Sequence, residues 1–150
     1  MSVIGFNLAK GELRWTSLSG TKQSPKLEAK GRRVYAMTET DEICHWFRQN
    51  LSELLDQQKN SKVAYRLTWD INKKAQAGYL IMPLGILHLL SRERGLACIE
   101  HHTASLTHRK LGVSVKASPI AMCDAVFQPH PPYWDDAQKY SVLAAWAELD

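Results

Sequence analysis

At 150 residues, 45% of them hydrophobic, the chain has the length and apolar content of one globular domain, spanning residues 1–150, which excludes a wholly disordered polypeptide. The longest apolar run, Tyr79 to Leu90, is broken by Pro83, Gly85 and His88 and falls short of the about 20 residues a bilayer demands. The net charge of +4 is concentrated at one end: residues 1–33 carry +5 (Lys10, Arg14, Lys22, Lys26, Lys30, Arg32 and Arg33 against Glu12 and Glu28), whereas residues 34–150 carry −1.

In chain order, Val3–Ala9, the Lys10-Gly11 break and Glu12–Ser19 predict a strand, a tight turn and a returning strand. Gly20 to Gly31 has the composition of a polar loop, and Arg32–Met37 reads as a third strand. Thr40 is placed as a helix N-cap, with Asp41 and Glu42 in the first turn, where negative charge suits the helix dipole. Ile43, Trp46, Phe47, Leu51, Leu54 and Leu55 follow at spacings of three and four, a core-facing stripe ending near Lys59-Asn60. Lys62–Trp69 predicts a fourth strand and Gln76–Arg94 a helix, in which Pro83 marks either a kink or the true start. Leu96–Glu100 predicts a fifth strand and Thr103–Leu111 a short helix. The prolines within 113–133 favour irregular backbone, and Trp134–Leu149 closes the chain as a helix. Helices between strands imply parallel crossovers and a mixed sheet covered on both faces.

Met1-Ser2-Val3 leads directly into a strand-like segment, so no signal peptide is expected. Cys44, Cys98 and Cys123 match no zinc or redox spacing and predict reduced thiols in a cytoplasmic protein. Glu100, His101, His102 and His108 are ligand-type residues for zinc, but adjacent histidines on a strand point to opposite faces, which favours exposed imidazoles. Cys44 and His45, neighbours on a helix, do not face each other. Tyr133 and Trp134 beside Pro129–Pro132 form either an aromatic platform for a base or peptide or a pin holding the loop on the core. Asp135 and Asp136 suit a helix start.

The run Ile4-Gly5-Phe6-Asn7 resembles the first strand of RNase H-like domains, in particular their RuvC-like branch, where a pattern close to Ile-Gly-Ile-Asp carries a metal-binding aspartate. Val63-Ala64-Tyr65-Arg66-Leu67 falls where that branch has Ala-Ile-Glu. Cys98–Gly112 resembles its fifth strand and following segment, and Asp136-Ala137 through Ala145 its last helix, with an Asp-Ala-Ala-Asp pattern. The chain also resembles small bacterial proteins of this branch that lack the full acidic set. The resemblance implies an α/β fold with a five-stranded sheet in the order 3-2-1-4-5, strand 2 antiparallel, and helices on both faces. It also implies two magnesium ions held by carboxylates, about 4 Å apart, for phosphodiester hydrolysis.

Carried over, the four ligand positions fall on Asn7, Arg66, Asp136 and Lys139, so one carboxylate remains. Cationic replacements repel a divalent ion. The expectation is therefore a catalytically degenerate domain with no metal or other cofactor. It acts by binding structured or single-stranded nucleic acid, or a nucleic-acid-associated protein. Lys10, Arg14, Lys22, Lys26, Lys30, Arg32 and Arg33 would form the phosphate-facing surface. The alternatives are a Mg²⁺- or Mn²⁺-dependent nuclease using Asp70, Glu100 and Asp136, and a scaffold or homodimer docking through Tyr79–Leu90 or Trp134.

Overall fold

A computed structural model describes residues 1–67 and 77–150. Its strands are β1 (Ser2–Ala9), β2 (Glu12–Thr21), β3 (Ser24–Val34), β4 (Lys62–Leu67) and β5 (Ala97–His102). They form one sheet in the order β3-β2-β1-β4-β5. β2 runs antiparallel to β1 and β3, while β4 and β5 extend the sheet in parallel from β1, as the resemblance implies.

Alternation along the strands divides the core in two. Ile4, Phe6, Leu8 and Leu13 meet α1 (Thr40–Gln58) and α2 (Met82–Glu93) on one face. Val3, Leu18 and Ala64 meet α3 (Pro119–Val126) and α4 (Asp136–Trp146) on the other, around Leu143 and the fully buried Trp146. Gly11 closes the first hairpin at φ +78°, a conformation other L-residues rarely adopt. No helix among the described residues is long and apolar enough to cross a membrane.

Several boundaries differ from the sequence expectation. The polar stretch Gly20–Gly31 is mostly strand: β3 begins at Ser24, not Arg32. It is an edge strand with little of its surface buried, so Lys and Glu are tolerated, and Pro25 stands near its start. The N-cap of α1 is Glu39, with Thr40 as the first helical residue. Pro83 marks a start: a π-helical turn, Ala77–Ile81, precedes α2 and the proline occupies its first turn. Only Thr103–Ser105 of the expected Thr103–Leu111 helix is helical, as a 3₁₀ turn. α3 lies inside the stretch expected to be irregular. Its start has a sequence signal that composition hid: Ser118 Oγ accepts from the Ala121 N–H at 3.2 Å and Pro119 follows at the first helical position. Thr68, Trp69, Asp70 and Gln76 of the sequence expectation lie outside the described residues.

Candidate functional site

The sheet register brings five polar residues into one row. Arg32 of β3 pairs with Arg14 of β2, Arg14 with Asn7 of β1, Asn7 with Arg66 of β4, and Arg66 with His101 of β5. Residues opposed across paired strands share a face, and here it is the face that carries α4. Gly5, two residues before Asn7, is where α4 presses closest. A Cβ there would overlap the Ser141 carbonyl oxygen and lie 2.7 Å from the Ala145 amide nitrogen. The missing side chain lets the start of α4 come down over the row.

Asp135 joins helix to sheet. Its carboxylate accepts the Gln138 N–H at 3.0 Å, capping α4, and also accepts both Arg14 terminal nitrogens at 3.1 and 2.7 Å. Glu12 accepts Arg14 Nε at 3.3 Å through one oxygen and Arg32 Nε at 2.7 Å through the other. Gln138, buried, donates to the Trp15 carbonyl and to Thr16 Oγ1. On the other side of Asn7, the Arg66 guanidinium lies 3.6 Å from the centre of the Tyr140 ring. Burial pushes the Arg66 pKa down, against the pull of Tyr140. At the end of the row, His101 Nε2 is 3.1 Å from Glu148 Oε1, and burial holds that imidazole below its ordinary pKa despite the carboxylate. Asn7 is 5% exposed, and its Oδ1 finds no hydrogen-bond partner among the described residues.

Of the four carried-over positions, the structure pairs Asn7 with Arg66. Asp136 opens α4 one turn before Tyr140, with its side chain 72% exposed. Lys139 turns away toward α3, pairing with Asp124 at 3.0 Å and lying 3.9 Å from Asp136. Glu100 is on the opposite face of the sheet, accepting the Tyr65 hydroxyl at 2.7 Å, so it does not converge with Asp136. Asp70 lies outside the described residues. Trp134 acts as a pin: its indole N–H donates to Asp124 at 2.9 Å and its ring packs on Phe127, while Tyr133 is 85% exposed.

The basic residues of the first 33 positions do not form one surface, because strand alternation splits them. Arg14, expected on the phosphate-facing surface, is buried, and its donors are occupied by two carboxylates. Arg33, expected beside it, crosses to the other face and binds Asn50 and Glu53 of α1. Lys26 and Lys22 lie toward the far end of the β2–β3 hairpin, where Lys22 meets the C-terminal residues through its backbone. Lys30 and Arg32 stay on the α4 face, and Lys10 sits at the tip of the first hairpin. Burial and then the neighbouring Arg14 lower the Lys30 pKa, which Asp135 partly offsets.

A pair of hard divalent cations needs anionic oxygens around it. This row offers an amide between two arginines, and among the described residues no group of three or more His, Cys, Asp or Glu is placed to hold a metal. The described residues, which do not include Asp70, do not fit such a centre.

The Arg14–Asp135 pair has a signature in acid. Burial alone would raise the Asp135 carboxyl, but the Gln138 N–H and the Arg14 guanidinium outweigh it and hold its pKa below the ordinary value. A depressed carboxylate contributes stability that is complete above its unfolded pKa, about 3.9, and is lost as pH falls through the lower folded value. The urea midpoint is therefore expected to fall below about pH 4, and Asp135→Asn to remove part of that fall. Identical acid profiles for variant and wild type would contradict the pairing.

The sheet order, its one antiparallel inner strand and the helices on both faces define an RNase H-like fold. Within that class the chain has the RuvC-like form. It superimposes on Thermus thermophilus RuvC, solved in complex with a Holliday junction substrate, with a TM-score of 0.82 and 13% identity, covering 98% of this chain and 92% of that one. The yeast mitochondrial Holliday junction resolvase Ydc2 follows at 0.70 and 11%, covering 97% and 76%. The Fowlpox virus resolvase, solved with Holliday junction DNA, gives 0.50 and 11%, covering 98% and 90%. No family model and no curated protein matches the sequence.

Proposed function

We propose that this domain binds nucleic acid without cleaving it, as a catalytically degenerate RuvC-like domain. One observation carries this reading: Asn7, at the position the resemblance assigns to a metal-binding aspartate, is flanked across the sheet by Arg14 and Arg66. An amide with a guanidinium on each side offers Mg²⁺ no anionic oxygen at this position. The Holliday junction resolvases that share the fold supply the ligand class, branched DNA. The phosphate-facing surface narrows to Lys30 and Arg32 on the α4 face, with Lys10 at the hairpin tip turned to the α1 side. Arg14 serves as the buried counter-charge of α4.

The test uses the full chain with a four-way junction and a single strand, read by fluorescence anisotropy across a salt series and by gel with Mg²⁺ or Mn²⁺. Binding that weakens steeply with salt, with both substrates left intact, is the expected result. Replacing Lys30 and Arg32 together by glutamate is expected to weaken binding by about tenfold or more and to flatten the salt slope by about one for each phosphate no longer neutralised. Metal-stimulated cleavage that Asp136→Asn abolishes would replace this reading with the nuclease one. Absence of binding at low salt would leave a protein-interaction module.

A further inference from the structure

Beside the hairpin tip, on the α1 side of the sheet, is a cavity of about 280 Å³ that the row of arginines does not explain. Tyr35, Tyr79, Met37 and Ile43 line it, with Lys10 and Thr38 as its polar members. Tyr35 is held rigidly: its ring packs on Trp46 at 4.8 Å and Phe47 at 5.5 Å, and its backbone N–H donates to Gly11 at 3.0 Å. Its hydroxyl is buried and makes no hydrogen bond of good geometry among the described residues. Burial raises that phenol's pKa, partly offset by the Gly11 backbone. The Lys10 ammonium lies 5.8 Å from the centre of the Tyr79 ring, so a cation sits beside an aromatic wall.

We propose that this cavity receives one unpaired nucleobase from a strand held by the basic surface, with Lys10 on the adjoining phosphate and Tyr79 against the base. The inference rests on the nucleic-acid reading above and deepens it. Size selects the occupant: the volume lies just under the about 300 Å³ at which drug-sized pockets begin, room for one ring system and little more. Chemistry selects it as well. Aromatic rings accept the face of any base, and an ammonium at the rim meets a phosphate. An aliphatic ligand would use neither the aromatic faces nor the cation. A protein side chain would bring no phosphate.

The experiment compares two single strands of equal length and charge, an oligodeoxyadenylate and a fully abasic strand, on wild type, Tyr79→Ala and Tyr79→Phe. The wild type is expected to bind the strand with bases about tenfold more tightly than the abasic one, the size of one stacking interaction. Tyr79→Ala is expected to bring the two strands close to parity, and Tyr79→Phe to keep the preference. Equal binding of both strands by the wild type, or a preference that survives Tyr79→Ala, overturns the cavity assignment while leaving the nucleic-acid reading in place. Failure of both strands to bind at low salt overturns both.

Discussion

Replacing Gly5 by alanine is expected to destabilise the protein by about 3 kcal/mol or more, beyond the usual range for one added methyl in a packed core. The reason is what the new carbon would strike. Two of its three nearest neighbours, the Ser141 carbonyl oxygen and the Ala145 amide nitrogen, are backbone of α4, and the third is the Ala145 Cβ at 2.9 Å. A helix backbone cannot rotate aside as a side chain can, so α4 must move as a body. That movement would loosen Val142, Leu143 and Trp146, which are 0–1% exposed at the centre of that layer. With total stabilities of about 5–15 kcal/mol for such domains, one methyl would remove a large share. Urea denaturation of Gly5→Ala beside wild type measures it, and a loss under about 1 kcal/mol would show that helix and strand do not touch here. The same variant is expected to move Asp135 and Tyr140 off the arginine row, linking a packing position to the candidate site.

Asp135→Ala is expected to cost about 2–4 kcal/mol, from two losses that fall on one side chain. One is the N-cap of α4, normally worth about 1 kcal/mol. The other is the bidentate partner of Arg14, whose side chain is only 7% exposed and would retain Glu12 alone. Asp135 itself is 53% exposed, so water already screens part of the pair and the upper end of the range for a severed buried ion pair is not reached. Asp135→Asn separates the losses: its amide oxygen still caps the helix while the charge is gone, and about half the destabilisation is expected. Arg14→Met combined with Asp135→Asn is expected to be milder than the sum of the single changes, since no buried charge is left without its partner. Thermal and urea unfolding of wild type, Asp135→Ala, Asp135→Asn, Arg14→Met and the double variant test this. Equal stability of Asp135→Ala and wild type would remove Arg14 from its structural role.

Together these two positions describe how the site is held. In the metal-dependent chemistry that the resemblance implies, carboxylates from sheet and helix are drawn together by cations. Here a guanidinium from β2 supplies the positive charge at the start of α4, and it belongs to the chain.

Much of the architecture was legible in the sequence because it follows from local pattern. The first hairpin, the apolar stripe of α1, the parallel strands after each helix and the start of the last helix all follow from periodicity and turn chemistry, which neighbouring residues determine among themselves. The edge strand β3 was hidden because its exposed surface removes the hydrophobic signal, and α3 because four prolines outweighed its cap. The identity of the residues at positions 7, 66, 136 and 139 was also open to inspection, and with it the scarcity of carboxylates. What only the tertiary structure decided is which of those residues face one another. Lys139 points to α3, Glu100 lies across the sheet from Asp136, and Arg14, one of seven cations in the first 33 residues, is buried against α4. Charge counts treat all seven alike. Register, strand alternation and the approach of a helix over a glycine separate them, because burial and pairing depend on three-dimensional neighbours far apart in the chain, as Arg14 and Asp135 are at 121 positions.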